Sequence, residues 1–174
     1  IAWYHLGLTY GKIKNYNKAI ESFEYSLLID DNFVAAYYEI ARMFEKQGDW
    51  DNAAKTYMRS FEYDTPTGYI YYKLGHCFLQ MNHNKEALLH LTQAIHEDEE
   101  LDEAYLEIAA IYAVEGSKHE AVHHLNKAID LDPENPDYLY TAIEIYSKLD
   151  LKLNVIETYK KIIKTGYDDG DMFL

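Results

Sequence analysis

The sequence predicts an all-α solenoid in which antiparallel helix pairs follow one another with a period of 34 residues. Three observations lead to this fold class. Apolar and small residues recur at a constant spacing, each period holds two stretches with helical periodicity, and turn-forming residues separate those stretches. Because the pattern runs through almost all of the 174 residues, we expect a single continuous array over 1–174.

Several independent columns of residues keep this period without an insertion. One column is aromatic and consists of Tyr10, Phe44, Phe78, Tyr112 and Tyr146. A second begins with rings and reads Trp3, Tyr37, Tyr71, Tyr105 and then Leu139. Two further columns are small, namely Gly7, Ala41, Gly75 and Ala109, and Ala19, Ala53, Ala87 and Ala121. Agreement among separate columns indicates an internal repeat.

The columns place the units at 1–33, 34–67, 68–101, 102–135 and 136–169, and a sixth unit opens at 170–174. In the second unit, residues 34–47 and 50–63 have apolar residues at helical spacing, and Gly48-Asp49 breaks the run. The corresponding breaks in the other units are Lys14-Asn15, Asn82-His83, Gly116-Ser117 and Asp150. Turns this short force the two helices of each pair to run antiparallel.

Gly75 lies in the middle of a predicted helix, where glycine costs about 1 kcal/mol relative to alanine. We expect it to face Ala87 at the point where the two helices of the third unit touch. Small residues there would let the two backbones approach closely. Replacing Ala87 by leucine should overpack this contact and cost about 1–3 kcal/mol.

The fifth unit departs from the pattern. Ala142-Ile143 reverses the order of large and small residues, Val155 replaces an alanine, and Ile162 replaces a small residue. We therefore expect looser or differently angled packing there. Phe173 lies one period after Leu139, so we also expect the native chain to continue into a further repeat.

The charge of the chain is strongly negative and unevenly distributed. The net charge is −14, with 9 Lys/Arg against 11 Asp/Glu in residues 1–87 and 7 against 19 in residues 88–174. Such a surface repels a phosphate backbone and disfavours binding to nucleic acid. It either keeps the protein soluble or attracts a basic partner to the C-terminal half. No apolar run is long enough for a membrane span, and the lone Cys77 leaves the compartment open.

The columns resemble the tetratricopeptide repeat. The fourth unit shows the resemblance in Tyr105, Ile108-Ala109, Tyr112, Ala121, Leu125, Ala128 and Pro133. The first unit shows it in Trp3, Leu6-Gly7, Tyr10, Ala19 and Phe23. The resemblance implies a right-handed superhelix whose concave face is lined by the first helix of each pair, and it implies that ligands bind on that face.

That implication directs attention to positions beside the core columns. Residues that directly follow the Trp/Tyr column are Tyr4, Tyr38, Tyr72, Leu106 and Tyr140. One turn later come Leu8, Arg42, His76 and Glu144, and further candidates are Lys46, Tyr69, Gln80, Glu103 and Asp137. Neighbouring helices pack about 8–10 Å apart, so the rings would form a ladder suited to a peptide. Alternatively, the tyrosines only cover the groove walls or pack between helices.

A carboxylate clamp of the chaperone-adaptor type is not predicted. Its positions correspond to Tyr4, Leu8, Glu39, Tyr69 and Lys73, or one unit later to Tyr38, Arg42, Lys73, Glu103 and Glu107. Neither set supplies the basic and amide residues of the clamp, and the second set would repel a carboxylate.

Other chemistry is not expected. His119 and His123 stand four residues apart, beside His124 and one period after His90, but no further ligands complete a metal site, so a solvated face is favoured. Cys77 falls in an apolar column and should be buried and inert. The acidic stretch 97–103 lacks the spacing of a calcium loop. No phosphate loop or nucleophile motif is present, so we expect no catalytic residues, no metal and no cofactor.

The sequence thus favours a non-catalytic scaffold for protein–protein interaction, binding a peptide or protein segment and neither nucleic acid nor a membrane. Two alternatives remain open. The repeats could self-associate as a structural module, or the chain could be a docking or regulatory domain of a larger enzyme or sensor.

Overall fold

The computed structural model describes residues 1–133 and 135–165, and this part of the chain contains ten α-helices and no strand. The helices are α1 (Ala2–Lys12), α2 (Tyr16–Ile29), α3 (Val34–Gln47), α4 (Trp50–Ser60), α5 (Gly68–Gln80), α6 (Asn84–Glu97), α7 (Asp102–Glu115), α8 (Lys118–Leu131), α9 (Pro136–Lys148) and α10 (Lys152–Thr165). The chain divides into two compact subdomains. The N-terminal subdomain, Ile1–Glu97, contains α1–α6, and the C-terminal subdomain begins at Asp98 and contains α7–α10.

The predicted breaks are confirmed as turns with one shared geometry. A residue in the left-handed conformation, with φ between 56° and 77°, stands at Lys14, Gly48, Asn82, Gly116 and Asp150. The amide of the next residue donates a 2.9 Å hydrogen bond to the carbonyl oxygen five residues earlier in every turn. These bonds satisfy carbonyl groups at the ends of the first helices. The same turn therefore joins the two helices of each pair.

The close approach at Gly75 exists, but its partner differs from the prediction. A Cβ atom at Gly75 would lie 2.7 Å from Leu91 Cγ and 3.1 Å from the Leu91 amide nitrogen. Leu91 is one helical turn beyond Ala87, which is itself fully buried. The expected facing of Gly75 and Ala87 is wrong by one turn, because the repeat period does not determine the axial offset between two helices.

The described apolar residues pack into clusters within each subdomain. In the N-terminal subdomain, one cluster contains Phe23 and Ile40, and another contains Tyr57, Leu74 and the buried Cys77. The predicted burial of that thiol is confirmed. In the C-terminal subdomain, the core joins α7, α8 and α9, and Leu125 lies within it.

Helix α4 ends at Ser60 and not at residue 63 as the periodicity predicts. The amides of Phe61 and Tyr63 donate to the carbonyl oxygens three residues earlier, which tightens the chain into turns before Pro66. In the fifth unit, Val155 packs at the edge of the second core and Ile162 is buried. The predicted opening of a sixth unit at 170–174, with Phe173, lies outside the described residues.

Two histidines that the sequence assigned to a solvated face are half-buried between aromatic rings. His90 stacks on Phe78 at 5.4 Å and on Tyr71 at 6.4 Å between ring centroids. His124, one period later, lies 5.6 Å from Tyr112 in the same arrangement. The solvated interpretation is wrong for this pair, because an imidazole ring can cover the edge of an apolar face. His119 and His123 are exposed as expected.

Candidate functional site

A cavity of about 510 Å³ opens between α1 and α3 and brings together three of the predicted binding residues, Leu8, Arg42 and Lys46. We call it the cationic cavity. Its remaining lining residues, which the sequence did not single out as binding residues, are Gly11, Lys12, Lys14, Tyr16, Glu39 and Met43. Lys12 could have been found, because it lies one turn after Leu8 on the same helix.

The lining of the cationic cavity combines positive charge with apolar surface. Four side chains are cationic, Glu39 is the one carboxylate, and Glu39 forms an ion pair with Arg42 within α3. Leu8 and Tyr16 are half-buried, whereas Lys12, Lys14 and Lys46 are exposed. Among the described residues the structure shows no ion pair for these three lysines. The cavity therefore presents an excess of positive charge around an apolar base.

A row of predicted residues follows one face of α5. The ring centroids of Tyr69 and Tyr72 are 6.2 Å apart, and those of Tyr72 and His76 are 6.1 Å apart. Gln80 continues the row, with its Nε2 3.5 Å from His76 Nε2. We call Tyr69, Tyr72, His76 and Gln80 the α5 row. Trp50, which the sequence did not single out, meets His76 edge-on at 5.6 Å from the first position of α4.

Beneath the α5 row lies an ion pair that ties three helices together. Lys73 Nζ is 2.9 Å from Glu45 Oε2, and the Tyr57 hydroxyl donates to Glu45 Oε1 at 2.7 Å. Burial alone would lower the pKa of Lys73, but the hydrogen bond and charge of Glu45 raise it overall. Burial, followed by the Glu45 charge, raises the pKa of Tyr57. Glu45 thus balances the positive charge of Lys73, and the ammonium nitrogen lies about 6 Å from the ring centroids of Tyr69 and Tyr72.

Tyr4 and Tyr38 lie against the interior of the N-terminal subdomain. The Tyr4 ring is 4.8 Å from Phe33 and 5.4 Å from Phe23, and Tyr38 is 6.4 Å from Tyr57. Burial raises the pKa of both tyrosines. Both rings are half-buried, so each offers one side to the surface.

In the C-terminal subdomain, the predicted binding residues lie on α7 and α9. Leu106 packs against the core, Tyr140 is half-buried, and Glu103 and Glu144 are exposed. Partial burial, followed by a hydrogen bond with Asp102, raises the pKa of Glu103. The other predicted acid, Asp137, is exposed in the first turn of α9. The predicted binding residues of the C-terminal subdomain thus contribute carboxylates and no cation.

Metal and membrane chemistry find little support in the described residues. No group of three or more His, Cys, Asp or Glu side chains among them could hold a metal ion. His119 and His123 line a cavity of about 540 Å³, together with Asn126 and Asn154. Within the same residues no helix combines the length and apolar character needed to cross a membrane.

The geometry defines a class of protein first: an all-α repeat of helix pairs with a shared turn and a constant period. Sequence profiles of the tetratricopeptide repeat match residues 1–33, residues 36–61, and residues 68–100 and 102–135. The matches cover more than half of the chain, so the protein belongs to the tetratricopeptide repeat family, and the predicted family and all-α solenoid fold class are confirmed. A comparison with curated proteins gives no match.

Solved structures show the same fold. A crystal structure of a MamA protein superposes with a TM-score of 0.86 at 18% identity, covering 99% of this chain and 94% of that one. MamA 41-end from Desulfovibrio magneticus RS-1 gives 0.88 at 16% identity, covering 97% and 95%. YrrB, a TPR protein with an unusual peptide-binding site, gives 0.78 at 21% identity, covering 97% and 87%. These likenesses show the shared fold, and membership of the repeat family supports the general role of a protein-interaction scaffold.

Proposed function

We propose that the protein binds a peptide or an extended segment of a partner protein along the first helices α1, α3 and α5 of its N-terminal pairs and catalyses no reaction on it. The observation that carries the proposal is the α5 row. Tyr69 is 53% exposed, and its ring continues through Tyr72 to His76 along one helix face. Rigid aromatic surface beside polar groups is typical of the residues that dominate protein interfaces.

Two further facts support a bound segment over a small substrate. The row follows a helix face for about three turns, which suits a chain that lies across it. The structural neighbour YrrB carries a peptide-binding site, although at 21% identity the likeness extends to the fold alone. Tetratricopeptide repeats are in general non-catalytic modules, which fits a binding role.

The test is selection of random twelve-residue peptides displayed on phage. Wild type and the variant Tyr69→Ala/Tyr72→Ala would be used side by side, since truncating a hot-spot residue of an interface costs about 2 kcal/mol or more, which is over tenfold in affinity. The matched control is Tyr25→Ala/Tyr159→Ala, which removes two exposed tyrosines outside the row. Circular dichroism would verify that each variant keeps its helicity.

We expect peptides that are enriched on wild type and on the control but lost on the Tyr69/Tyr72 variant. Equal enrichment on all three proteins would exclude the α5 row as the binding surface. Failure of wild type to enrich any peptide would refute peptide binding itself.

A further inference from the structure

We propose that the cationic cavity binds an acidic segment of a partner protein, in which an apolar side chain is flanked by Asp or Glu residues. This inference rests on the proposed function and adds the chemical class of the bound segment. It starts from a contrast between the cavity and the rest of the chain. The whole protein has 16 Lys and Arg against 30 Asp and Glu, yet one cavity between two helices collects four cations and a single carboxylate.

The arrangement of these cations indicates a ligand with several carboxylates. Arg42 already holds the Glu39 carboxylate, which shows that its guanidinium is oriented for this type of partner. Lys12, Lys14 and Lys46 stand around the same opening and form no ion pair with a described residue. Each of these exposed cations contributes little alone, but several around one opening act together on a ligand that carries several carboxylates.

The apolar part of the lining indicates the rest of the ligand. Leu8 contributes half-buried hydrocarbon surface, and Met43, which is 4% exposed, adds the small part of its side chain that reaches the cavity. A cavity of about 510 Å³ holds one or two side chains and not a continuous track. Nucleic acid is the poorer fit, since it would run beyond these cations onto a surface with net charge −14. A short peptide stays within the local positive field, because a Debye length of about 8 Å screens the distant acids.

The cavity shares Leu8, Glu39 and Arg42 with the clamp positions but takes its three lysines from elsewhere. Lys12, Lys14 and Lys46 fall outside both sets of clamp positions in this sequence, and Glu39 stands where the first set would need an amide. The recognition inferred here depends on the end of α1 and the turn after it, together with the outward face of α3.

The experiment extends the phage selection and then measures affinity. The enriched peptides should contain an excess of Asp and Glu over Lys and Arg. The most enriched peptide would be synthesised together with a copy in which every Asp and Glu is replaced by Asn or Gln. Dissociation constants would be measured by fluorescence anisotropy with wild type, with Arg42→Gln/Lys46→Gln, and with the control Lys85→Gln/Lys160→Gln. Both variants lose two exposed cations, so they change the net charge equally.

The expected result is a loss of about tenfold in affinity for the acidic peptide with Arg42→Gln/Lys46→Gln and little change with the control. The amide peptide should bind weakly and should not distinguish the two variants. The affinity of the acidic peptide for wild type should also fall as the salt concentration rises from 50 to 500 mM, on the order of a Debye length shrinking from over 10 Å to under 5 Å.

The outcomes separate this inference from the proposed function. Enriched peptides that depend on Tyr69 and Tyr72 but carry no excess of acids would keep the proposed function and overturn the acidic class. Acidic peptides that bind equally to both charge variants would overturn the cavity as their site. A dimer in light scattering that dissociates in salt and is absent from the Arg42/Lys46 variant would also overturn it, because the occupant would then be the acidic half of a second copy.

Discussion

Replacing Gly75 by alanine is expected to destabilise the N-terminal subdomain, although alanine is the better helix former. The new Cβ would lie 2.7 and 2.9 Å from two carbon atoms of Leu91, where carbon atoms prefer about 3.5–4.0 Å. The Leu91 amide nitrogen at 3.1 Å belongs to the backbone of α6, so rotation of the leucine side chain alone does not remove the overlap. Overpacking of this kind costs about 1–3 kcal/mol.

The gain in helix propensity is about 1 kcal/mol, which leaves a net loss of up to about 2 kcal/mol for Gly75→Ala. A matched control exists at Gly11, near the end of α1. A Cβ there would meet only Met43, at 3.2 Å from Sδ, and Met43 also lines the cationic cavity and can shift into it. Gly11→Ala should therefore be neutral or stabilising, by up to about 1 kcal/mol.

Thermal melting followed by circular dichroism at 222 nm, the usual helix band, is the assay. For a chain of this size, 1 kcal/mol corresponds to about 2–4 °C in Tm. Gly75→Ala should melt below wild type by up to about 8 °C, and Gly11→Ala should melt at or above it. If both variants raised Tm together, helix propensity alone would govern both positions and the close contact of α5 with α6 would be refuted.

Glu45→Ala should lower stability by about 2–3 kcal/mol in urea unfolding, because Lys73 at 19% side-chain exposure loses its partner; an effect under 1 kcal/mol would contradict this. Gly48→Ala should lower stability by about 1 kcal/mol through its left-handed φ, while Lys14→Gly should be neutral or stabilising, and melting both variants checks the opposite signs. Burial lowers the pKa of His90 below 6.5, so the unfolded chain binds the proton more readily and stability falls as the pH drops through that region. His90→Phe should flatten this dependence between pH 7 and 5, on the order of one titrating group, and parallel stability curves for wild type and variant would argue against it.

The features that could be predicted from the sequence are those that every unit shares. The breaks at Lys14, Gly48, Asn82, Gly116 and Asp150 were recognisable because a left-handed residue favours Gly, Asn or Asp, and Lys14 followed from the period alone. The family followed from the same columns. The offset that places Gly75 against Leu91 could not be predicted, because periodicity gives the face of a helix but not how far its neighbour slides along it.

The lining of the candidate site could be predicted only in part, for a related reason. Leu8, Arg42 and Lys46 lie on the first helices to which the resemblance directs attention, whereas Lys14 lies in a turn and Trp50 begins a second helix. A search restricted to the first helices passes over both.

The positions that differ between units are the ones that give the surface its chemistry. The repeat position of Leu8 is occupied by Arg42 in the second unit, His76 in the third and Glu144 in the fifth. The position of Lys12 carries Lys46 in the second unit and Gln80 in the third. Because the core columns keep the backbone equivalent at each step, these substitutions change charge without changing placement. The equivalent helix faces therefore carry cations at α1 and α3, aromatic rings at α5 and a carboxylate at α9.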